Sequence, residues 1–524
     1  LAQLIERINK TIKIITQRAT FSGSFYFRQM IKNYVVILGF LLVASIARAE
    51  KVYEFNSTCQ QAYQEIMKLK INNGIALIEK AKLQNPDNLI PIYLESYVDL
   101  VSLFFSEDVA EYAIKKPKLE ERIKLLEQGP QNSPFYRYCL SEAYVHKAFI
   151  EIKFTENWRA SWDTRKAFLL IKDNRRLFST FSPNDLMYGG LETVIATIPS
   201  GYSFFASLIG LSGSMEEGLS LVKNFANSND PYAKLFSTES AFIYCYLAYH
   251  VGNKKSEVFS FIQNKNLDLV NNYILGYMAA NLAIADKKLE MSKNIIQNRN
   301  KSPEYYNLPI WDYEMAFIKL DHLETQEAIH YFESYLSKFK GSFYLKDAYL
   351  KLSWCYYIRG NTNAAEAARA NIIKKGSTET DADKQALKDA KSGTWPNLLL
   401  LKARVLSDGG YFQEALALLN GKNINNFASP EEKLEYEYRL GRIYDDLNKN
   451  EEAIQYYNAA IAIGLTRKEY YAARAALQTG EIYEREGKKK LAVTYYEKCL
   501  EMKDHEYKNS LDQRAKAGKE RCGE

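Results

Sequence analysis

The sequence predicts an all-α fold in which helical hairpins stack lengthwise into a right-handed αα-superhelix, a solenoid. Three observations lead there. A small residue recurs at 316, 353, 403, 441 and 480, followed at similar offsets by a second small residue and a bulky one. The twelve prolines fall between or at the edges of helical patterns, as at Pro130/Pro134, Pro199, Pro303/Pro309 and Pro430, where a missing N–H does no harm. No sustained period-two run with a hairpin turn is present. A chain of 524 residues exceeds one conventional core. Stacked units bury apolar surface without needing a single centre.

Composition narrows the class. With 47% hydrophobic and 25% charged residues, a disordered chain, a collagen and a multi-span membrane protein are excluded. The formal charge of +6 is uneven: residues 1–49 carry seven Lys/Arg and one acid, so 50–524 nets to zero. A neutral body argues against general nucleic-acid binding, which needs a basic footprint. The six cysteines are far apart with no CxxC, which argues against a disulfide framework or a zinc site and for buried helix cysteines.

From Met30 the chain reads MIKNYVVILGFLLVASIARAEKVYEF. Lys32 supplies a positive start, 34–46 an apolar stretch, and Ala47-Arg48-Ala49 a small-x-small cleavage pattern before Glu50. That is a secretory signal peptide at 30–49, and it predicts an exported, periplasmic or envelope-associated protein. The apolar stretch is short for a stable span of ~20 residues. Retention as a membrane anchor is the alternative. Residues 1–29 precede a good start methionine and read as a non-native or leader extension.

The repeats are clearest near the C-terminus. In 434–460, Leu440 and Gly441 lead to Tyr444, Ala453, Tyr457 and Ala460. In 473–499, Gly480, Tyr483, Ala492 and Tyr496 repeat those offsets. Intervals between the first small residues are 37, 50, 38 and 39. The physical reading is a pair of antiparallel helices. The small residue lets two backbones approach, a bulky one fills the groove, and the second helix seats its alanine on the first. The long interval holds an insertion at 374–396 whose middle, DADKQALKDA, reads as a short polar helix. Segment 346–372 has Arg369 where a bulky apolar residue is due. Residues 50–300 read as degenerate units of the same kind and 301–524 as regular ones, roughly six to nine hairpins altogether.

This pattern resembles the tetratricopeptide repeat superfamily, on Leu440, Gly441, Tyr444, Ala453, Tyr457 and Ala460 and on Gly480, Tyr483, Ala492 and Tyr496. A second, narrower resemblance is carried by IPSGYSFFASLIGLSGSMEEGLSLVKNF at 198–225. That run looks like the mid-chain signature of the tetratricopeptide repeat protein 39 family, in a bacterial secreted branch. The superfamily resemblance implies a concave groove lined by the first helix of each unit. Its inward positions would be three before, one after and four after the small residue. They give Tyr313 and Phe317, Trp354 and Tyr357, Arg404, then Tyr438, Arg442 and Asp445, and Glu481. Arg404 and Arg442 stand there without the asparagine of the superfamily's carboxylate clamp, so a receptor for acidic chaperone tails is not expected.

Chemistry is harder to find. Five histidines show no metal spacing, and no GxSxG, Walker loop or strand-borne GxGxxG is present. No catalytic residue, cofactor or metal is expected. The reading is therefore an exported scaffold that binds a protein or peptide partner in its groove. A helical carbohydrate-active enzyme with opposed carboxylates is the enzymatic alternative.

Overall fold

The described residues are 50–196, 211 and 213–523 of a computed structural model. The chain divides into compact units Leu1–Val52 and Tyr53–Glu524. The proposed leader, the signal peptide and residues 198–210 and 212 of the 198–225 segment lie outside the described residues. The second unit holds all the helices described.

Among the described residues there are twenty-five α-helices and no β-strand. Helix α1 (Ser57–Met67) pairs with α2 (Ile71–Gln84), α3 (Ile90–Ser106) with α4 (Val109–Leu126), α5 (Pro134–Lys153) with α6 (Asn157–Leu177), and α7 (Pro183–Ala196) with α8 (Met215–Asn227). After the short α9 (Pro231–Leu235), α10 (Ser237–His250) pairs with α11 (Lys255–Asn264), α12 (Tyr273–Ala285) with α13 (Leu289–Asn298), α14 (Ile310–Asp321) with α15 (Thr325–Lys338), and α16 (Leu345–Ile358) with α17 (Thr362–Lys374). Helix α18 (Asp381–Ser392) is the one read in the insertion. Then come α19 (Leu398–Asp408) with α20 (Phe412–Leu419), α21 (Pro430–Asp446) with α22 (Asn450–Gly464), and α23 (Tyr471–Arg485) with α24 (Lys489–Glu501). Helix α25 (Lys508–Cys522) covers the last pair. The all-α solenoid class holds, but there are eleven hairpins among the described residues rather than six to nine. The additional ones lie in 50–300, where the small-residue signature is weakest.

The seat within each C-terminal hairpin is physical contact at a small residue. A Cβ built on Gly441 would lie 2.5 Å from Cδ1 of Tyr457, and one on Gly480 would lie 2.6 Å from Cε1 of Tyr496. The tyrosine ring of the second helix thus fills the place a side chain would take. Two further contacts repeat at the same offsets. Tyr444 stacks on Tyr456 with ring centroids 5.4 Å apart, and Tyr483 meets Tyr495 at a tilt with centroids 5.5 Å apart. The hydroxyls of Tyr457 and Tyr496 donate to Asp445 and Glu484 on the paired helix. Ala453, Ala460 and Ala492 are fully buried beside them.

The hairpin turns share a backbone conformation. Leu69, Glu107, Thr155, Asn253, Lys287, Leu323, Gly360, Gly410, Asn448 and Gly487 all have positive φ, one in each hairpin turn that lies wholly within the described residues. A left-handed residue reverses the chain tightly after a helix. Only three of these ten are glycines. One proline departs from the expected pattern: Pro117 lies inside α4. Ala113 and Pro117 are both exposed, so the carbonyl that loses its N–H partner faces water.

The insertion is bolted to the array by side chains. Asp383 of α18 accepts from the backbone N–H groups of Tyr344, Lys346 and Asp347 at the start of α16, at 2.7, 2.9 and 3.1 Å. In return Arg369 of α17 donates to the carbonyls of Asp389 and Ala390 near the end of α18, and lies over the Trp395 ring. That is why an arginine stands where the repeat pattern asks for an apolar residue.

Replacing Gly480 with Leu should destabilise the protein by over-packing against Tyr496, by about 1–3 kcal/mol or more, read as a lowered urea midpoint. Thr155, exposed and β-branched at φ 62°, should behave oppositely. Thr155→Gly removes left-handed strain and should raise stability by about 1 kcal/mol.

Candidate functional site

The solenoid coils back on itself. The turn of the first hairpin meets residues far ahead, where Tyr306 N–H donates to Leu69 O at 2.8 Å and Lys70 pairs with Glu304 at 2.7 Å. The second hairpin's turn does the same, with Glu107 accepting from the N–H groups of Ser342 and Phe343. Lys287 reaches Asp446. The first helices of the hairpins therefore face an interior, and its filling differs along the chain.

In the N-terminal part the interior is plugged by aromatic side chains. Phe55, Tyr63, Tyr93, Tyr97, Tyr138 and Phe236 meet edge to face or tilted, with centroids 5.2 to 6.5 Å apart. Threaded through this plug is a polar network that no sequence motif announces. Tyr63 and Tyr97 donate to Glu239 at 2.8 and 3.0 Å. His146 lies between Ser96, 2.8 Å from Nδ1, and Glu142, 3.3 Å from Nε2.

Ser96, His146 and Glu142 match the composition of a nucleophilic triad. Their environment is different. Ser96 is 4% exposed and donates to the Tyr93 carbonyl at 2.6 Å, so its oxygen accepts from the His146 N–H. Burial pushes the His146 imidazole down to about 4 and the Glu142 carboxyl up to about 7. Burial, then the charge of Glu142, pushes Glu239 up to about 8. A neutral His146 with a protonated Glu142 satisfies every hydrogen bond in the set. The arrangement is a packed polar strut.

The C-terminal part is lined by charge. Lys351 Nζ and Arg404 Cζ lie over the Trp354 ring, 3.8 and 4.9 Å from its centroid. Arg404 approaches Asp408 at 3.6 Å, and Arg442 meets Asp408 at 2.7 Å. Burial works to raise Asp408, but Arg442, Arg404 and Arg439 outweigh it and hold its carboxyl well below the usual range. Burial and the charge of Asp408 push neighbouring Asp321 well above it. Arg485, which pairs with Asp445 at 2.6 Å, also lines a cavity of about 740 Å³. Glu481, Glu484, Arg485, Arg514 and Arg521 form one wall and Asn253 to Glu257 the other. Arg514 donates to Glu481 at 2.8 Å and Arg521 to Glu484.

The nine groove residues read from the sequence fall into several groups. Arg404 and Arg442 join the charge ladder, and Glu481 lines the cavity. Tyr438, 2% exposed, and Trp354, 4% exposed, lie beneath the surface and are corrected from lining to packing residues. Tyr313 is half-buried against Tyr335 and Phe317. Tyr357 stacks on Trp395 of the insertion. Asp445 is committed to Tyr457 and Arg485. Sequence reasoning missed Lys287, Lys351, Asp408, Arg514 and Arg521. Lys351 and Asp408 sit beside inward positions, Lys287 lies in the turn of a hairpin whose register was not visible, and Arg514 and Arg521 come from α25, which belongs to no hairpin. Among the described residues no cluster of three or more His, Cys, Asp and Glu could hold a metal, and no helix is long and apolar enough to cross a membrane.

Residues 435–463 and 473–505 match the family model for the tetratricopeptide repeat. The C-terminal part of the chain carries tetratricopeptide repeats. They coincide with α21/α22 and α23/α24, the two hairpins seated by glycine and tyrosine. No curated protein sequence matches the chain. Solved structures that superpose include the APC/C hetero-tetramer Cut9–Hcn1, at 14% identity and TM-score 0.25, covering 88% of this chain and 95% of that one. The P58(IPK) TPR domain superposes at 14% identity and TM-score 0.22, and yeast Tom70 at 13% and 0.22, each covering 81% of this chain and 96% of the other. These superpositions are too loose to bear on function.

The polar strut has a pH signature. Carboxyls raised from 4.5 to about 7 and 8 bind more protons folded than unfolded. Their contribution is full below the unfolded value and lost as pH rises through those folded values. His146, lowered from 6.5 to about 4, contributes above 6.5 and loses its contribution as pH falls toward 4. Thermal melts should therefore fall in midpoint as pH rises through about 7 to 8, and Glu239→Gln should flatten that limb.

Proposed function

We propose that the chain is an exported scaffold that holds an extended segment of a protein partner along the charged inner face from Arg404 to Glu481. The carrying observation is the cavity of about 740 Å³ lined by Glu481, in whose wall Arg514 pairs with Glu481 and Arg521 with Glu484. It falls in the size range of sites that bury a ligand. Arginines fixed by acids offer rigid, directional donors to backbone carbonyls and carboxylates. Repeats of this superfamily commonly bind protein partners, which favours the same reading. Export is supported by Lys32, the apolar 34–46 stretch and Ala47-Arg48-Ala49. The narrower likeness at 198–225 to a secreted branch of the tetratricopeptide repeat protein 39 family belongs to this proposal too.

Crosslinking capture from envelope fractions tests the scaffold reading. Arg442→Ala and Glu481→Lys should each weaken capture of the same partner by roughly tenfold, with helical circular dichroism unchanged. Trp354→Ala should instead lower the melting temperature, since a buried indole removed costs about 3–5 kcal/mol. Capture indifferent to Arg442 and Glu481 would rule out the inner face as the binding surface. N-terminal sequencing of the mature protein tests export, with Glu50 as the expected first residue.

A further inference from the structure

The convex side holds a feature that the inner face does not explain. The interior is filled from α1, α3, α5 and the start of α10, so the second helix of each hairpin lies outside. Helix α6 is the second helix of the third hairpin. Ala160, Asp163, Ala167, Ile171 and Asn174 form its buried stripe. On the far side Trp158, Trp162, Arg165, Leu169, Lys172 and Arg176 follow one another at spacings of four and three, a single line along the helix. Trp158 is 58% exposed and Trp162 42%, their rings edge to face with centroids 6.0 Å apart. Leu169 and Leu177 are exposed with them.

The helix is also basic, with six Lys/Arg against two Asp. Of the aspartates, Asp163 is buried and engaged by Lys147 at 2.9 Å, which leaves Asp173 on the outer side. Acids from neighbouring elements that reach α6 gather at its ends. Glu120, Glu151 and Glu156 surround Arg159 in the first turn, and Asp185 meets Arg175 in the last. Lys166, Lys172 and Arg176 stand exposed between and beyond them, Lys166 3.9 Å from Asp163 and Arg176 3.6 Å from Asp173 of the same helix.

We propose that the outer face of α6 docks on an anionic lipid surface. Two neighbouring indoles on one stripe suit the headgroup level, where an amphipathic ring has both an apolar and a polar environment. Lysines and arginines flanking them on the same face supply the attraction to anionic headgroups, and the helix lies flat in the interface. The occupant is identified by that combination. A protein partner would use the indoles equally well, but the excess of cations over acids spread along three turns of one outward face suits a laterally uniform anionic surface. This inference does not depend on the inner face.

Co-sedimentation of the full chain with phosphatidylcholine vesicles, with and without phosphatidylglycerol, tests it. The chain should partition onto the anionic vesicles roughly tenfold or more better than onto neutral ones, and lose that preference in high salt. Trp158→Ala/Trp162→Ala and Lys172→Glu/Arg176→Glu should each reduce anionic binding by roughly tenfold or more, with circular dichroism and Arg442-dependent partner capture unchanged. Any leader or anchor is common to all variants, so the comparison isolates α6. Equal binding by parent and variants overturns the proposal. So does the absence of vesicle binding, including the case in which the two tryptophan substitutions abolish self-association in sedimentation velocity and assign the face to a second copy.

Discussion

The regular end of this structure rests on a tyrosine ring occupying the space above a residue too small to resist it. Tyr457 over Gly441 and Tyr496 over Gly480 bring two helix backbones close enough for alanines at 453, 460 and 492 to be fully buried. The same rings carry hydroxyls that reach Asp445 and Glu484 on the inner side. One residue therefore sets the helix spacing and fixes the orientation of the acid that the interior will see. A single hairpin cannot cover its apolar face, so the seat has meaning only in a stack. Gly518 of α25 continues it, closing on the opposite edge of the Tyr496 ring.

Coiling gives the stack two interiors of different chemistry. Where aromatic rings face inward, the axis is solid, and Ser96, His146, Glu142 and Glu239 find their hydrogen-bond partners within it. Where lysine, arginine and aspartate face inward, the charges pair across successive hairpins and a cavity remains. A buried ion ladder is a poor source of stability because desolvation offsets attraction, so stability resides in the aromatic seats and plug. The charged face is free to serve recognition.

The fold is legible in the sequence where the seat is built from glycine and tyrosine, in 434–460 and 473–499. It blurs in 50–300 for a reason the backbone makes plain. Each hairpin turn described there holds one left-handed residue, and Leu69, Glu107, Thr155, Asn253 and Lys287 adopt that conformation without the glycine that would have advertised it. Arg369 reads as a broken repeat when its only neighbours are those in sequence, and as a tether once the insertion lies beside it. The inner-face residues are legible only in part. A helical offset indicates direction, but whether Trp354 or Tyr438 reaches solvent depends on what Lys351, Arg404 and the next hairpin place above it. The strut of Ser96, His146, Glu142 and Glu239 joins separate hairpins, and no local pattern could have assembled it.

The most direct test of the central contact is a double-mutant cycle on Gly480→Ala and Tyr496→Leu, followed by equilibrium urea unfolding. If the ring occupies the space of the missing side chain, the two changes compensate, and the double variant is more stable than the sum of the single losses by about 1 kcal/mol or more. Additive losses would mean that the ring and the glycine do not share that space, and that these hairpins are held together by some other contact.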